Sequence, residues 1–354
     1  MLSAPATPYR RQIEIVLLAW GAQREAAAAT ADVLLYAGLS GIDSHGISML
    51  TEYDTRRRRG WLELDAAPQI LRESPSSVLI DAGGGLGHWA GTVAMTEAIA
   101  RARKVGVAAA AVRNSAHFGA CGYYTKMAAE AGLIGICTTS ASMIRIVPTG
   151  GAEPRLGTDP FSFAAPGADG EPFLLDMATT TVAFGKVRNK LTEGEPCPPG
   201  WILDAAGRPA TDPAEVAERG GFLTSLGGTR ENGSYKGYGL AVMVNILSSC
   251  LSGAMLITDP KRPERPRGPE IGHFCLALDP GLFRDPAEFR AEVAAFARAL
   301  RATKPLDPAA PVMIAGDPER AQAERRGREG IPIAPGLATR LKAIAEAADV
   351  PWLL

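Results

Sequence analysis

Between about residue 75 and residue 280, short apolar runs rich in Val, Ile and Phe alternate with helical stretches. The runs are Val78 to Ala82, Val105 to Val112, Leu133 to Thr138, Phe161 to Ala165, Phe173 to Met177 and Phe274 to Leu278. Each has the length of a strand, so together they predict an α/β unit. The flanks have a different grain. Residues 7 to 60 read as helices. Glu25 to Ala37 is alanine-rich and stops at Gly38, and Asp43 stands where it would N-cap a helix from Ser44 to Arg59. After Asp285 helices return, over Pro286 to Ala302 and Gly336 to Ala347. The expected fold class is therefore α/β. A helical lobe is built from both ends of the chain (1–72 and 285–354), with an α/β lobe (73–284) inserted between them. Within that lobe, 188–235 is rich in Gly, Pro and charge and reads as a flexible excursion with one helix near Pro213 to Glu218.

A chain of 354 residues is long enough for two lobes and a large core. Its net charge of -1 gives it no pull toward nucleic acid or an anionic membrane. The basic run Arg56 to Arg59 reads as a solvated helix end before Gly60. The five cysteines (121, 137, 197, 250 and 275) form no Cys-x-x-Cys pair, which disfavours zinc and fits reduced thiols in a cytoplasmic protein. Ile13 to Trp20 is interrupted by Glu14 and lacks the features of a signal peptide. Gly239 to Ile257 is uncharged and long enough to span a bilayer. It carries Asn245, Ser248, Ser249 and Ser252, however, and no second span accompanies it. The expectation is a helix buried in a soluble core, with no membrane partner.

Several motifs can carry chemistry. Asn114-Ser115-Ala116-His117-Phe118-Gly119 places a histidine in a glycine-flanked turn between a strand and a helix. Such a turn suits a proton-transfer group, though a histidine also simply fills a polar turn. Gly85-Leu86-Gly87-His88-Trp89-Ala90 has the Gly-x-Gly-x-x-Ala form of a dinucleotide fingerprint. The acidic residue expected about twenty positions later is missing, and a tight turn of small residues explains the glycines equally well. Ser44-His45-Gly46, at a predicted helix start, is either an oxygen-binding corner or a helix cap. Leu175-Asp176-Met177-Ala178 closes a strand with a carboxylate. Lys236-Gly237-Tyr238-Gly239 opens the uncharged helix with a lysine able to reach a phosphate or ribose. Either of these last two is also compatible with a plain turn.

Taken in order, these pieces join Gly150-Gly151-x-Glu153, Leu156-Gly157-Thr158-Asp159-Pro160 and Gly272-His273-Phe274. The set resembles the malate/L-lactate dehydrogenase family, which includes ureidoglycolate and sulfolactate dehydrogenases, diketogulonate reductase and cyclic-imine reductases. The match runs over about residues 10 to 320. The resemblance implies that the inserted lobe binds cofactor on a mixed sheet unlike the conventional Rossmann fold. It implies hydride transfer with NAD or NADP to a 2-oxo acid, a related ketone or a cyclic imine, in a homodimer. It makes His117 the general acid/base, with Ser44 and His45 binding substrate and assisting. Asp176, Met177, Ala178 and Lys236 would line the cofactor. His273 would flank it, and Gly316-Asp317, in the loop Ala315 to Glu319, would touch it.

Two departures from the family pattern bear on the substrate. Relatives usually carry a carboxylate-binding arginine where this chain has Met49. The cofactor-contacting serine after the strand at 133–138 is replaced by Thr139-Ser140-Ala141-Ser142-Met143-Ile144-Arg145. Ser140 or Ser142 takes its place, and Arg145 is either a relocated carboxylate partner or a solvated loop residue. Two rival readings remain: a metallohydrolase built on His45, His88, His117 and His273, and a non-catalytic relative with a damaged site. Spacing of the kind zinc requires is missing, so no metal is expected.

Overall fold

The computed structural model describes residues 2–258 and 270–354. The chain opens with β1 (Leu2–Ala4), α1 (Ala6–Ala19), α2 (Arg24–Leu39), a 3-10 turn (Asp43–His45) and α3 (Met49–Arg58). A sheet follows: β2 (Gln69–Ser74), β3 (Ser77–Asp81), α4 (Gly87–Val105), β4 (Val107–Ser115), α5 (Cys121–Glu130), β5 (Ile134–Thr139), β6 (Phe161–Ala165) and β7 (Phe173–Met177). Next come α6 (Phe184–Glu193), β8 (Ile202–Leu203), β9 (Pro209–Ala210), α7 (Ala214–Ala217), β10 (Phe222–Leu223) and α8 (Ser234–Asn245). A π-helical turn (Ile246–Cys250) extends α8. The chain ends with β11 (Ile271–Leu278), α9 (Pro286–Arg301), α10 (Asp317–Glu329), β12 (Ile331–Ile333) and α11 (Pro335–Ala347).

All six strand runs read from the sequence lie in one seven-stranded sheet, in the order β2-β3-β4-β11-β5-β6-β7. β3 and β4 are parallel and joined by α4; the other neighbouring pairs are antiparallel, so the sheet is mixed. β2 was not anticipated. It is an exposed edge strand with little apolar pattern to betray it. The alanines of β4 let α4 approach, α5 lies over β5 and β6, and Ile80, Val112, Cys137 and Cys275 pack with Ala94, Ala98, Phe118 and Tyr124. A second core joins Tyr9, Ile13, Leu17, Leu34, Leu50 and Tyr53 to Ile331, Ile333 and Leu341. Early and late segments meet directly, because β1 pairs antiparallel with β12, Leu2 opposite Ile333.

Five expectations change. First, the helix expected from Ser44 starts only at Met49. Gly46 is extended and sits too close to the Tyr9 hydroxyl for any side chain, so Asp43–His45 forms a separate 3-10 turn. Asp43 caps nothing there and instead pairs with Arg326 of α10. Second, α9 buries only Ala297 and runs beside the turn at Ala168–Gly170, away from the terminal core. Third, the segment 188–235 carries a three-stranded sheet and packs Cys197, Ile202, Val216 and Leu223 into a small core shared with Ile146, Leu156, Val182 and Ala241. Fourth, the uncharged helix is only half buried. Ser248, Ser249 and Ser252 face inward, while Met243, Ile246 and Leu251 are exposed. None of the described helices is long and apolar enough to cross a membrane. Fifth, Asp317 begins helix α10 and is not part of a loop.

The dinucleotide-like glycines have a different use. A Cβ on Gly87 would lie 2.2 Å from the Ala116 carbonyl oxygen and 2.8 Å from that of His117. The space a pyrophosphate would take is filled by the turn that carries His117. Gly87 is the point where α4 seats that turn, which argues against a Rossmann-type site there. Gly87→Ala should therefore cost about 1–3 kcal/mol, the usual penalty for overfilling a packed contact. Urea unfolding measures this; an unchanged midpoint would show that the turn gives way freely.

Candidate active site

The turn after β4 brings His117 against two other histidines and a tyrosine. The Tyr53 hydroxyl, on α3, lies 2.8 Å from His117 Nδ1 and 3.1 Å from His88 Nε2. The His45 and His117 rings are 5.3 Å apart, centre to centre. Ser44 Oγ bonds His45 Nδ1 at 2.9 Å. Both His45 and His117 are half-buried, and in each the Nε2 atom is the one these bonds leave open. Tyr53 and His88 are fully buried. Burial, then the neighbouring His45, His88 and Arg56, hold the His117 pKa well below its usual value. Burial does the same for His45. Tyr53 went unnoticed in the sequence. It stands one helical turn after Met49, so following that helix face would have found it.

A buried layer fixes this turn from behind. His273 lies 2.7 Å from Thr139 Oγ1 through Nδ1 and 2.8 Å from Ser115 Oγ through Nε2. Its ring stacks on Phe118, with centroids 4.3 Å apart and planes 8° apart. His273, expected beside the cofactor, is fully buried with both nitrogens used, so it supports the His117 turn and offers no surface to a ligand. Ser140 is likewise buried; its hydroxyl accepts from Gly272 N at 3.0 Å and ties β5 to β11. Ser142 stays half-exposed.

Residues at the end of β7 and at the start of α8 form a second group. Asp176 accepts the Gly122 N–H at 2.7 Å, at the start of α5, and so anchors the helix that follows the His117 turn. Burial raises its pKa to about 6, with Glu319 adding to the effect. Met177 and Ala178 follow, half-buried. Leu226 N donates to Thr179 O at 2.9 Å, and the Leu226 backbone is also what Gly237 packs against. The first turn of α8, with Lys236, is therefore held near the end of β7. Lys236 is exposed, and no carboxylate among the described residues pairs with it. An exposed cation on a helix's first turn, 5.9 Å from the Tyr235 ring centre, and a carboxylate at the end of β7 are groups that suit a dinucleotide's phosphates and ribose hydroxyls. Gly316, with φ +96, packs on Leu174 of β7, next to this group. Asp317 is committed elsewhere: it pairs with Arg301 and Arg320 and accepts from Ile314 N.

Of Met49 and Arg145, only Met49 stands on the helix that carries Tyr53. Met49 is half-buried and packs on the terminal core at the head of α3. Arg145 lies over the Phe184 ring at 4.3 Å in the small subdomain, and its contacts do not reach the histidine cluster. Among the described residues no group of three or more ligand side chains is placed to hold a metal.

The buried histidines make stability depend on pH. His88 and His273 have pKa values pushed down to about 3, chiefly by burial. In the unfolded chain each returns to about 6.5. Both are neutral in either state above that value. Below it, only the unfolded chain takes up protons, so stability is lost as pH falls from about 6.5 toward about 3, by up to about 1.4 kcal/mol per pH unit for each group. Urea titrations from pH 7 to pH 4 should show this fall. A His273→Gln variant should flatten it; an unchanged slope would mean that His273 titrates in the fold.

The malate/L-lactate dehydrogenase model matches residues 5–342. A malate dehydrogenase of Pyrococcus abyssi is 38% identical over 339 residues, covering 96% of this chain and 92% of that relative. The malate dehydrogenase of Entamoeba histolytica superposes with a TM-score of 0.93 at 33% identity, over 99% of both chains. The delta1-piperideine-2-carboxylate reductase of Pseudomonas syringae superposes with a TM-score of 0.85 at 28% identity, over 98% of this chain and 100% of that one. Dehydrogenases and reductases surround the chain on every side, and it is itself an oxidoreductase acting on CH–OH or C=N groups with a nicotinamide cofactor. This protein belongs to the malate/L-lactate dehydrogenase family.

Proposed function

We propose that the chain uses NAD or NADP to move a hydride to or from a carbon bearing a hydroxyl, oxo or imine group, with His117 as general acid/base. The single observation that carries this reading is the half-buried His117 imidazole, tied to Tyr53 through Nδ1 and beside His45 and Ser44. When bound, the nicotinamide supplies or accepts the hydride. His117 moves the proton at Nε2. His45 and Ser44 hold the oxygen as charge develops on it. Lys236 and the amides of the first turn of α8 take the phosphates, Asp176 takes ribose hydroxyls, and Met177, Ala178, Ser142 and Gly316 line the remainder. The chain works as a homodimer, a reading supported by the exposed apolar face of Met243, Ile246 and Leu251.

His117→Ala should lower turnover by roughly 10²–10⁴-fold, the usual worth of a placed proton donor or acceptor, while cofactor binding persists. Fluorescence titration with NADH and NADPH measures the binding, and turnover near wild type would remove His117 from the chemistry.

Met49 sets the substrate class. A methionine in place of a cation leaves no charge-assisted partner for a small substrate's carboxylate there and suits bulkier, less charged groups. The enzyme should handle pyruvate and oxaloacetate poorly. Met49→Arg should raise kcat/KM on them roughly ten- to a hundred-fold, the range of one charge-assisted hydrogen bond. Efficient pyruvate reduction by the unaltered enzyme would contradict this assignment.

A further inference from the structure

The hydrogen bonds behind His117 run in a chain of three groups, His117 Nδ1 to Tyr53 Oη at 2.8 Å and Tyr53 Oη to His88 Nε2 at 3.1 Å. A phenol has one proton, so Tyr53 donates to only one of the two rings. The far end of the chain decides which. His88 is fully buried, and its Nδ1 has no hydrogen-bond partner among the described residues. Burial keeps this ring neutral, with a single N–H. With that proton on Nδ1, an N–H would be stranded inside the protein, the kind of buried orphan donor that folded proteins avoid. On Nε2 the proton is used, because it is donated to the Tyr53 oxygen. Tyr53 then turns its own proton to His117 Nδ1. A neutral His117 that accepts at Nδ1 carries its proton on Nε2.

We propose that Tyr53, held in place by His88, is a positioning residue that fixes His117 as its Nε2–H tautomer, so that the imidazole meets the substrate as a hydrogen-bond donor. A donor at that position recognises the lone pair of a carbonyl oxygen or imine nitrogen. The group that the free enzyme is set to receive is thus the oxidised form of the substrate. Three features of the fold exist to hold this setting. α3 carries Tyr53 on the face below Met49. α4 begins at Gly87, so that His88 lies directly under the turn. The Phe118–His273 stack holds the ring's neighbour still. His117 and Tyr53 alone would leave the direction of the bond undecided, since each pairs equally well either way. His88 supplies the asymmetry.

This inference rests on the reading of His117 as the acid/base, and the two fail in distinguishable ways. The chain has only four histidines, so protein labelled with 15N-histidine gives four resolvable pairs of ring signals, with those of His117 identified by their loss in His117→Gln. Above pH 7 the His117 pair should show a bare Nδ1 and a protonated Nε2. In Tyr53→Phe the bias should vanish and kcat fall by roughly tenfold or more, with the substrate KM little changed. His88→Gln keeps an N–H able to reach Tyr53 and should retain both tautomer and most of the turnover. His88→Met removes that N–H and should lose both, and this pair carries the test if Tyr53→Phe fails to fold. A wild-type His117 protonated on Nδ1 overturns the inference, as does Tyr53→Phe with unaltered tautomer and kcat. Full turnover in His117→Ala instead defeats the acid/base reading and leaves the tautomer result standing.

Discussion

The site depends on how closely two pieces of backbone approach at Gly87. There the start of α4 meets the carbonyls of Ala116 and His117 with no room for a side chain. One contact thereby joins the sheet, through β3 and β4, to the turn that bears His117. It also places His88 beneath that turn, and His88 is the anchor of Tyr53. The parallel β3–α4–β4 crossover thus acts as a scaffold for the turn between β4 and α5. The same unit in a Rossmann fold would present the helix start to a pyrophosphate, whereas here the chain occupies that place itself.

Burial has opposite uses in the two halves of the site. Around His117 it suppresses charge, and the imidazoles are kept neutral by desolvation and by one another. At the start of α8, Lys236 is left in solvent, where hydration holds its charge at little cost even beside the positive end of the helix dipole. Asp176 lies between these regimes, half-buried at the head of α5 and raised toward neutrality, yet accepting a backbone N–H. It therefore links the end of β7 to the helix that follows His117.

Much of this was legible in the residues. The six apolar runs marked the central strands because their period and length are local properties, and the turn around His117 announced itself between a strand and a helix. What stayed hidden was relational. Tyr53 looks like any core aromatic until α3 is docked on the turn. His273 looked like a ligand contact because of the family motif it lies in, and only the register of β11 against β4 and β5 shows both its nitrogens in use. The Gly46 break, which detaches Ser44 and His45 from α3, comes from the distant Tyr9 hydroxyl and leaves no trace in local propensity. The small sheet within 188–235 was missed because strands of two residues carry no readable period.

The pairing of β1 with β12 has a temporal side as well. The core around Tyr9, Ile13 and Leu34 also needs Ile331, Ile333 and Leu341, far along the chain. Contacts of such sequence separation form late, since the entropy of closing so long a loop must be met first. During synthesis α1 and α2 can pack on each other early, but the part of their apolar surface that meets β12 and α11 waits until those segments emerge. The Tyr53 arm of the site belongs to that waiting region. The packing around α3 is thus completed late, once α11 reaches it, well after the strands of the sheet have been made.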